Sequence, residues 1–420
     1  MDFKEIRVNW HPLLGAAVGI ALGSALNHYM MSLFGPAMIK DLGWSKAEFA
    51  LLGSLPLVLM VFVPFAGRFT DRFGARVAAT VGFTVVPLGY LAMSMVNGPI
   101  WQFFAIYVVQ HIFGVLTTTM VFGRVVVERF DAMRGIALSL VISAPPLAGA
   151  IAAPLMGRLI ASEGWRAGYL AMTAIAVIGG LIAVTMMGRN RTPGAPQREP
   201  ATKLSRAELF ELLRHPTLIL IVTGMLLVNV PQVFASSQLK LVVMDSGVTD
   251  SMATWMISIY ATGVIVGRFL SGIALDSKVP PNIVALTALG LPAIGLLILA
   301  SHATATGLLI FAVGLIGLAQ GAEADVGAFL ISRRFPLKNF SLLLSLTTMM
   351  IGVGSAVGSL ILSLTLHQGG GYGPFLVISA IATVVGAGLF GLTGTGWSKH
   401  DKQRDVDEAV IDQAIAGEIA

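Results

Sequence analysis

Arg268 and Glu323 offer the most chemistry in this sequence, because each interrupts a long apolar run with a charge. A charge inside an apolar span is expensive, and it ordinarily faces a partner or a water-filled cavity. Arg268 stands eight residues before Asp276, about 12 Å along a helix and too deep for its side chain to reach water easily. It is a candidate site residue; the competing reading is a structural ion pair. Glu323 stands ten residues before Arg333, about 15 Å in by the same measure. A carboxyl taken out of water can exchange a proton near neutral pH, which makes Glu323 the candidate proton carrier. The alternative is a permanent pair or a hydrogen bond within the bundle. Asp325 is a second candidate for proton coupling, but it projects roughly 200° round the helix from Glu323 and so off its face. That placement suits a structural member. Arg124 lies only five residues before Arg129, about 7.5 Å in, and can snorkel to an interface.

Uncharged polar residues add to this set. Asn27 and His28 sit among apolar neighbours, and Gln232 lies 205 residues after Asn27. The same offset carries Thr117, Thr118 and Thr119 onto Ala322, Glu323 and Ala324. Arg268, Asn27, His28, Gln232 and Thr118 are therefore the expected substrate-binding residues, with the reservation that a lone intramembrane histidine is often a hydrogen-bonded structural group.

The elements that must position these residues follow from composition. The chain of 420 residues is 55% hydrophobic and 12% charged, about half the charge of soluble domains, with a mean hydropathy of +0.82. It reads as an integral membrane protein. Apolar stretches long enough to cross a ~30 Å hydrocarbon core as helices fall at 12–36, 49–66, 77–96, 100–122, 136–156 and 167–187, then at 217–239, 252–274, 283–300, 307–331, 342–366 and 374–392. The expected fold is all-α, with twelve transmembrane helices as two pseudo-symmetric six-helix bundles, 1–188 and 215–396. Between them, 189–214 reads as a cytoplasmic linker: prolines and mixed charge, then a short amphipathic helix opened by Ser205 and Glu208. The polar tail is 397–420. Ser45 with Glu48 has the capping-box spacing where the second span begins.

Basic residues set the expected orientation. Lys40, Lys46, Arg158, Arg166 and Lys240 fall on one side, Arg124 and Arg268 inside helices, and the other twenty of the 27 on the side of the termini. Both termini and the linker are then cytoplasmic, in a bacterial inner or plasma membrane. The net charge of +5 is explained by that asymmetry without nucleic acid. No cleaved signal is read at Met1 to Arg7, and with no cysteine there is no disulfide or thiolate metal site.

A repeat organises the chain. Gly67-Arg68-Phe69-Thr70-Asp71-Arg72-Phe73-Gly74-Ala75-Arg76 recurs in skeleton around Gly272 and Asp276, 205 residues later. His11-Pro12 recurs as His215-Pro216, Gly43-Trp44-Ser45 as Gly247-Val248-Thr249, and Arg129-Phe130 as Arg334-Phe335, at offsets of 204 or 205. Four landmarks in one order imply internal duplication. Symmetry-related polar positions near the axis of such a repeat are where transporters of this architecture bind substrate.

Gly67-x-x-x-Asp71-Arg72-x-Gly74-x-Arg76 resembles the helix 2–3 signature of the major facilitator superfamily, with Gly272 to Asp276 as its weaker second copy. The resemblance spans residues 12 to 395. A narrower likeness is to the monocarboxylate-transporter-like and oxalate/formate-antiporter-like branches. It rests on Asp41-Leu42-Gly43-Trp44-Ser45, on Arg129-Phe130 with Arg134-Gly135-Ile136-Ala137, and on Gly164-Trp165-Arg166. In that branch the helix 8 arginine matching Arg268 is implicated in holding a carboxylate. The acid one turn earlier falls on Val264 here, which passes the proton role to Glu323. The resemblance implies two bundles rocking about a central site. It also implies a cytoplasmic gate of Gly67, Asp71, Arg72, Gly74, Arg76, Arg129, Arg134, Gly272 and Asp276, in which Gly67 allows close packing and Gly74 a tight turn.

The function expected is secondary active transport of a small organic anion, with an uncompensated Arg268 selecting a carboxylate and coupling by protons or by exchange. The alternative is a proton-driven exporter of lipophilic drugs. Against it, the helix 5 motif of drug antiporters appears only as Ala144-Pro145-Pro146-Leu147-Ala148-Gly149. No catalytic cluster or phosphate-binding loop is present, so neither an enzyme nor direct use of ATP is expected. No cofactor or metal is called for, and the expected partners are the substrate, H+ and the bilayer, with the protein a monomer.

Overall fold

The computed structural model describes residues 4–55, 57, 61–130, 133–188, 210, 212–275, 277, 279–335 and 340–393. Among them there is helix and no strand, as a bilayer demands when every backbone group must bond within its own segment. The spans are α1 (Trp10–Leu42), α2 (Lys46–Ala50, Leu51–Ser54 and Val63–Phe73), α3 (Ala75–Ser94), α4 (Ile100–Arg129), α5 (134–163), α6 (165–186), α7 (Pro216–Val228, Phe234–Gln238 and Leu239–Asp245), α8 (Asp250–Leu275), α9 (Pro281–Ala300), α10 (Thr306–Arg334), α11 (Phe340–His367) and α12 (Gly373–Leu392). Nine helical stretches among the described residues are long and apolar enough to cross a membrane. One of the nine is really two, because Gly164 at φ 85° and ψ 170° turns the chain between α5 and α6. The interrupted α2 and α7 complete the twelve. The expected tail and nearly all of the linker, its amphipathic helix included, lie outside the described residues.

Local structure repeats with the sequence. Gly43 caps α1 at φ 68° and Gly247 follows α7 at φ 84°, while Gly164 at φ 85° is matched 205 residues on by Gly369 at φ 75°. After the first pair, Ser45 accepts from the Glu48 amide in a complete capping box, and Thr249 Oγ1 accepts from the Met252 amide at 3.4 Å. The first spans of the two halves also break at matching depth, α1 at Gly23 and α7 after Val228.

Small residues bring the helices together. A methyl on Gly179 would meet Leu22 and one on Gly180 would meet Phe83, which seats α6 against α1 and α3. Gly263 and Gly317 touch backbone to backbone, seating α8 against α10. Such close approaches are the usual means of packing helices in lipid, where burial of apolar surface supplies no drive.

The two halves meet mainly toward the end of the molecule opposite the termini. There the motifs Asp41-Leu42-Gly43-Trp44 and Gly164-Trp165-Arg166 close the first half: Asp41 accepts from Trp165 Nε1 at 2.9 Å and from Arg166 at 2.6 Å, and Trp44 Nε1 donates to the Gly98 carbonyl at 3.2 Å. Between halves, Ser359 Oγ donates to the Ala50 carbonyl at 2.8 Å, Ser355 Oγ to Gly53 at 3.2 Å and Ser258 Oγ to Ala150 at 2.8 Å. Ala150 is open to this bond because Pro154, four residues on, has no N–H to offer it. Lys46 and Asp245 add an exposed ion pair at 3.5 Å.

Candidate functional site

A cavity of about 240 Å³ lies between the halves at the depth of the helix breaks. Its walls are Ser24, His28 and Met31 of α1, Tyr107 and His111 of α4, Gln232, Ser236 and Ser237 of α7, and residues of α2 and α11. None of these lining residues carries a fixed charge.

The breaks explain why polar groups gather there. In α4 the last turn before the break is a tight 3-10 turn (Val115–Thr117), and Thr118 is extended. The Gly114 carbonyl therefore loses its helical donor and accepts from Ser24 Oγ at 2.9 Å and Thr117 Oγ1 at 2.8 Å. The Ser24 amide, freed by the break in α1, donates to Thr117 Oγ1 at 2.9 Å. Two broken helices thus satisfy each other. In the second half only α7 is broken, and α10 runs on through Glu323. There Asn229, at the position matching Ser24, donates Nδ2 to its own Met225 carbonyl at 2.8 Å and across to Glu323 Oε1 at 2.6 Å.

Glu323 is 6% exposed and Gln320 approaches its second oxygen at 3.4 Å. It opens onto a pocket of about 20 Å³ that also contains Gln320 and Gln232. Gln232 lines both spaces, so the buried carboxyl and the central cavity are separated by one carboxamide.

The structure distributes the other expected site residues as follows. His28 and Gln232 line the cavity. Asn27 is buried and is not among the cavity's lining residues, its carboxamide beside the Tyr107 hydroxyl. Thr118 caps the second part of α4, its hydroxyl accepting from the Met120 amide at 3.4 Å and donating to Val115 at 2.7 Å. Arg268 is half-buried and faces Asp325 of α10, Nε to Oδ2 at 3.6 Å. The expectation that Arg268 lacks a counter-charge is therefore corrected: α8 and α10 touch backbone to backbone, and that contact brings the two side chains together. Tyr107, His111, Ser236 and Asn229 are cavity or proton-site residues that sequence reasoning missed.

In the gate set, Asp71 receives Arg124 Nη1 at 2.5 Å, and Arg124 Nε also donates to Glu128 at 2.8 Å. Arg124 is thus a bridge between α2 and α4. Arg72 lies over the Phe73 ring, and Arg129 donates to the Met187 carbonyl at 3.0 Å. Arg76 packs near the start of α3, where Gly74 makes the turn at φ 86°. Gly67 does not pack closely here: among the described residues, a methyl on Gly67 or Gly272 would meet nothing within 4 Å. Its expected contact is absent because the halves are joined at the opposite end. The side chain of Arg134 and the whole of Asp276 lie outside the described residues.

A family model described as Major Facilitator Superfamily matches the chain twice, at residues 18–242 and 234–411. The chain belongs to the major facilitator superfamily. The two matches overlap at 234–242 and together span nearly the whole chain. Within the superfamily, the chain is 24% identical over 365 residues to MFS transporter asaE of Aspergillus flavus, covering 84% of this chain and 79% of that one. It is 23% identical to Monocarboxylate transporter 13 of Bos taurus, covering 82% and 79%. Its fold matches that of the nucleoside transporter NupG with a TM-score of 0.73 at 15% identity, over 91% of this chain and 99% of that one. The chain is an integral, multi-pass membrane transporter.

Proposed function

We propose that the protein is a proton-coupled secondary transporter of a small organic carboxylate, with Glu323 as the proton carrier. One observation carries this reading: the single deeply buried carboxyl among the described residues lies against the break in α7, held by Asn229 and one side chain away from a cavity that both halves line. Discontinuous helices at such a site are how transporters place polar groups at membrane depth. Arg268 is not among the cavity's lining residues; it supplies the anion grip by exchange, because at 3.6 Å from Asp325 it is not locked in a short bidentate pair and a substrate carboxylate competes for it. The likeness to a monocarboxylate transporter supports the same class. With both termini cytoplasmic, the joined end faces outward and the cavity is reached from the cytoplasm.

A neutral polar solute is the second reading, favoured by walls without a fixed charge. Purified protein in proteoliposomes, given labelled carboxylates and neutral analogues with and without a pH gradient, separates the two. Carboxylate accumulation that follows the gradient and is lost in Arg268→Ala supports the first. Accumulation of only neutral solutes, unchanged in Arg268→Ala, removes it.

A further inference from the structure

The polar groups of the central cavity divide by what their hydrogen bonds are already used for. The hydroxyls of Ser24, Ser236 and Ser355 donate to the carbonyls of Gly114, Val233 and Gly53. Those bonds hold the helix breaks and the joint between halves, so these protons are not offered to a solute. His28 and Gln232 have no side-chain hydrogen bond among the described residues, and both can donate and accept.

His111 differs because its proton is placed. Its Nδ1 lies 2.9 Å from the Tyr107 carbonyl, one helical turn back. A carbonyl only accepts, so Nδ1 must carry the hydrogen. The imidazole is stacked on the Tyr107 ring with centroids 3.8 Å apart and planes 17° apart, which fixes its orientation. In the neutral ring Nε2 is then a lone-pair acceptor, unpartnered among the described residues, on a side chain that lines the cavity. A site with an unspent acceptor favours a ligand that brings a donor and disfavours the analogue lacking it.

We propose that His111 is a specificity-determining residue: its Nε2 accepts a hydrogen bond from a hydroxyl or amino group of the transported solute, while Gln232 and His28 donate to the solute's oxygens. Tyr107 is a positioning residue that sets the tautomer. The inference rests on reading the cavity as the transport site, and it narrows the substrate to a carboxylate that also carries a hydrogen-bond donor.

The test is counterflow with the full-length protein in proteoliposomes at pH about 8, where an ordinary imidazole, of pKa about 6.5, is neutral. The solutes are matched pairs: glycolate against acetate, 3-hydroxybutyrate against butyrate, and β-alanine against propionate, the last distinguishing amine from hydroxyl. The wild type is expected to favour the donor-bearing member of at least one pair by roughly three- to tenfold, the worth of one net hydrogen bond. His111→Asn keeps a donor where Nδ1 stands and deletes Nε2, so it should bring that ratio to one, the donor-bearing member losing more exchange than the unsubstituted acid. His111→Gln, which restores an acceptor near the Nε2 position, should recover it. A structural role would lower both members of a pair together and leave the ratio alone. Equal exchange of all pairs by the wild type, or a preference that survives His111→Asn, overturns the inference while the carboxylate reading stands. Absence of exchange for every carboxylate overturns both.

Discussion

At the scale of single residues, the account depends on which charges are spoken for. Arg268 is held by Asp325, but loosely, Nε to Oδ2 at 3.6 Å and in no short bidentate pair. The expected result is therefore asymmetric. Arg268→Ala abolishes carboxylate transport, whereas Asp325→Asn retains it and lowers KM, because the tether that competes with substrate is gone. Uptake kinetics check this, and equal loss in both variants would make the pair structural. The sequence pointed to Arg268 and Glu323 because charge in an apolar run is visible without coordinates. It did not point to Tyr107 and His111, because matching by the repeat pairs them with Ala312 and Ile316, which are apolar. A helical-face count would have found them: His111 is seven residues before Thr118, on nearly the same stripe of α4. Asn229 was hidden for a different reason, since its role comes from a break in α7 that hydropathy reads as continuous.

At the scale of elements, the joint between halves is made of backbone carbonyls that lost their helical partners. Ala150 is freed by Pro154, and Ala50 and Gly53 flank or lie in the 3-10 turn of α2. A methyl on Gly53 would run into Ser359 Oγ and lie 2.7 Å from Val233 Cγ2, so no larger residue fits while the halves are joined. Gly53→Ala should destabilise this conformation by on the order of 1–3 kcal/mol, as overpacking does, and shift the population toward the opposite opening. The natural absence of cysteine makes the readout clean. A cysteine in place of Ser236, in the cavity wall, should be protected from an impermeant thiol reagent added on the side of the joined end, and should become reactive when Gly53→Ala is added. Unchanged protection would show that the glycine is not part of the joint. The capping box at Ser45 and the turns at Gly43 and Gly247 were readable because they are set by neighbouring residues. The breaks in α1 and α4 were not, because each is stabilised by side chains from the other helix.

At the scale of the whole molecule, duplication explains the fold and much of the cavity: two copies of one unit break their first spans at matching positions, and Ser24 and Gln232 near those breaks line the space between. The gate motif belongs to the end where the halves are not joined in this conformation. Its Asp71 is 75% exposed and paired to Arg124 within the first half. An exposed pair contributes at most about 1 kcal/mol, so Asp71→Asn should leave insertion and thermal stability nearly unchanged while abolishing transport; intact uptake would remove the gate from the account. The central claim is that Glu323 couples a proton to substrate movement, and Glu323→Gln in proteoliposomes tests it most directly. The account predicts that this variant loses carboxylate accumulation driven by a pH gradient and keeps exchange of labelled for unlabelled carboxylate at equal concentration. Gradient-driven accumulation at the wild-type level would contradict it.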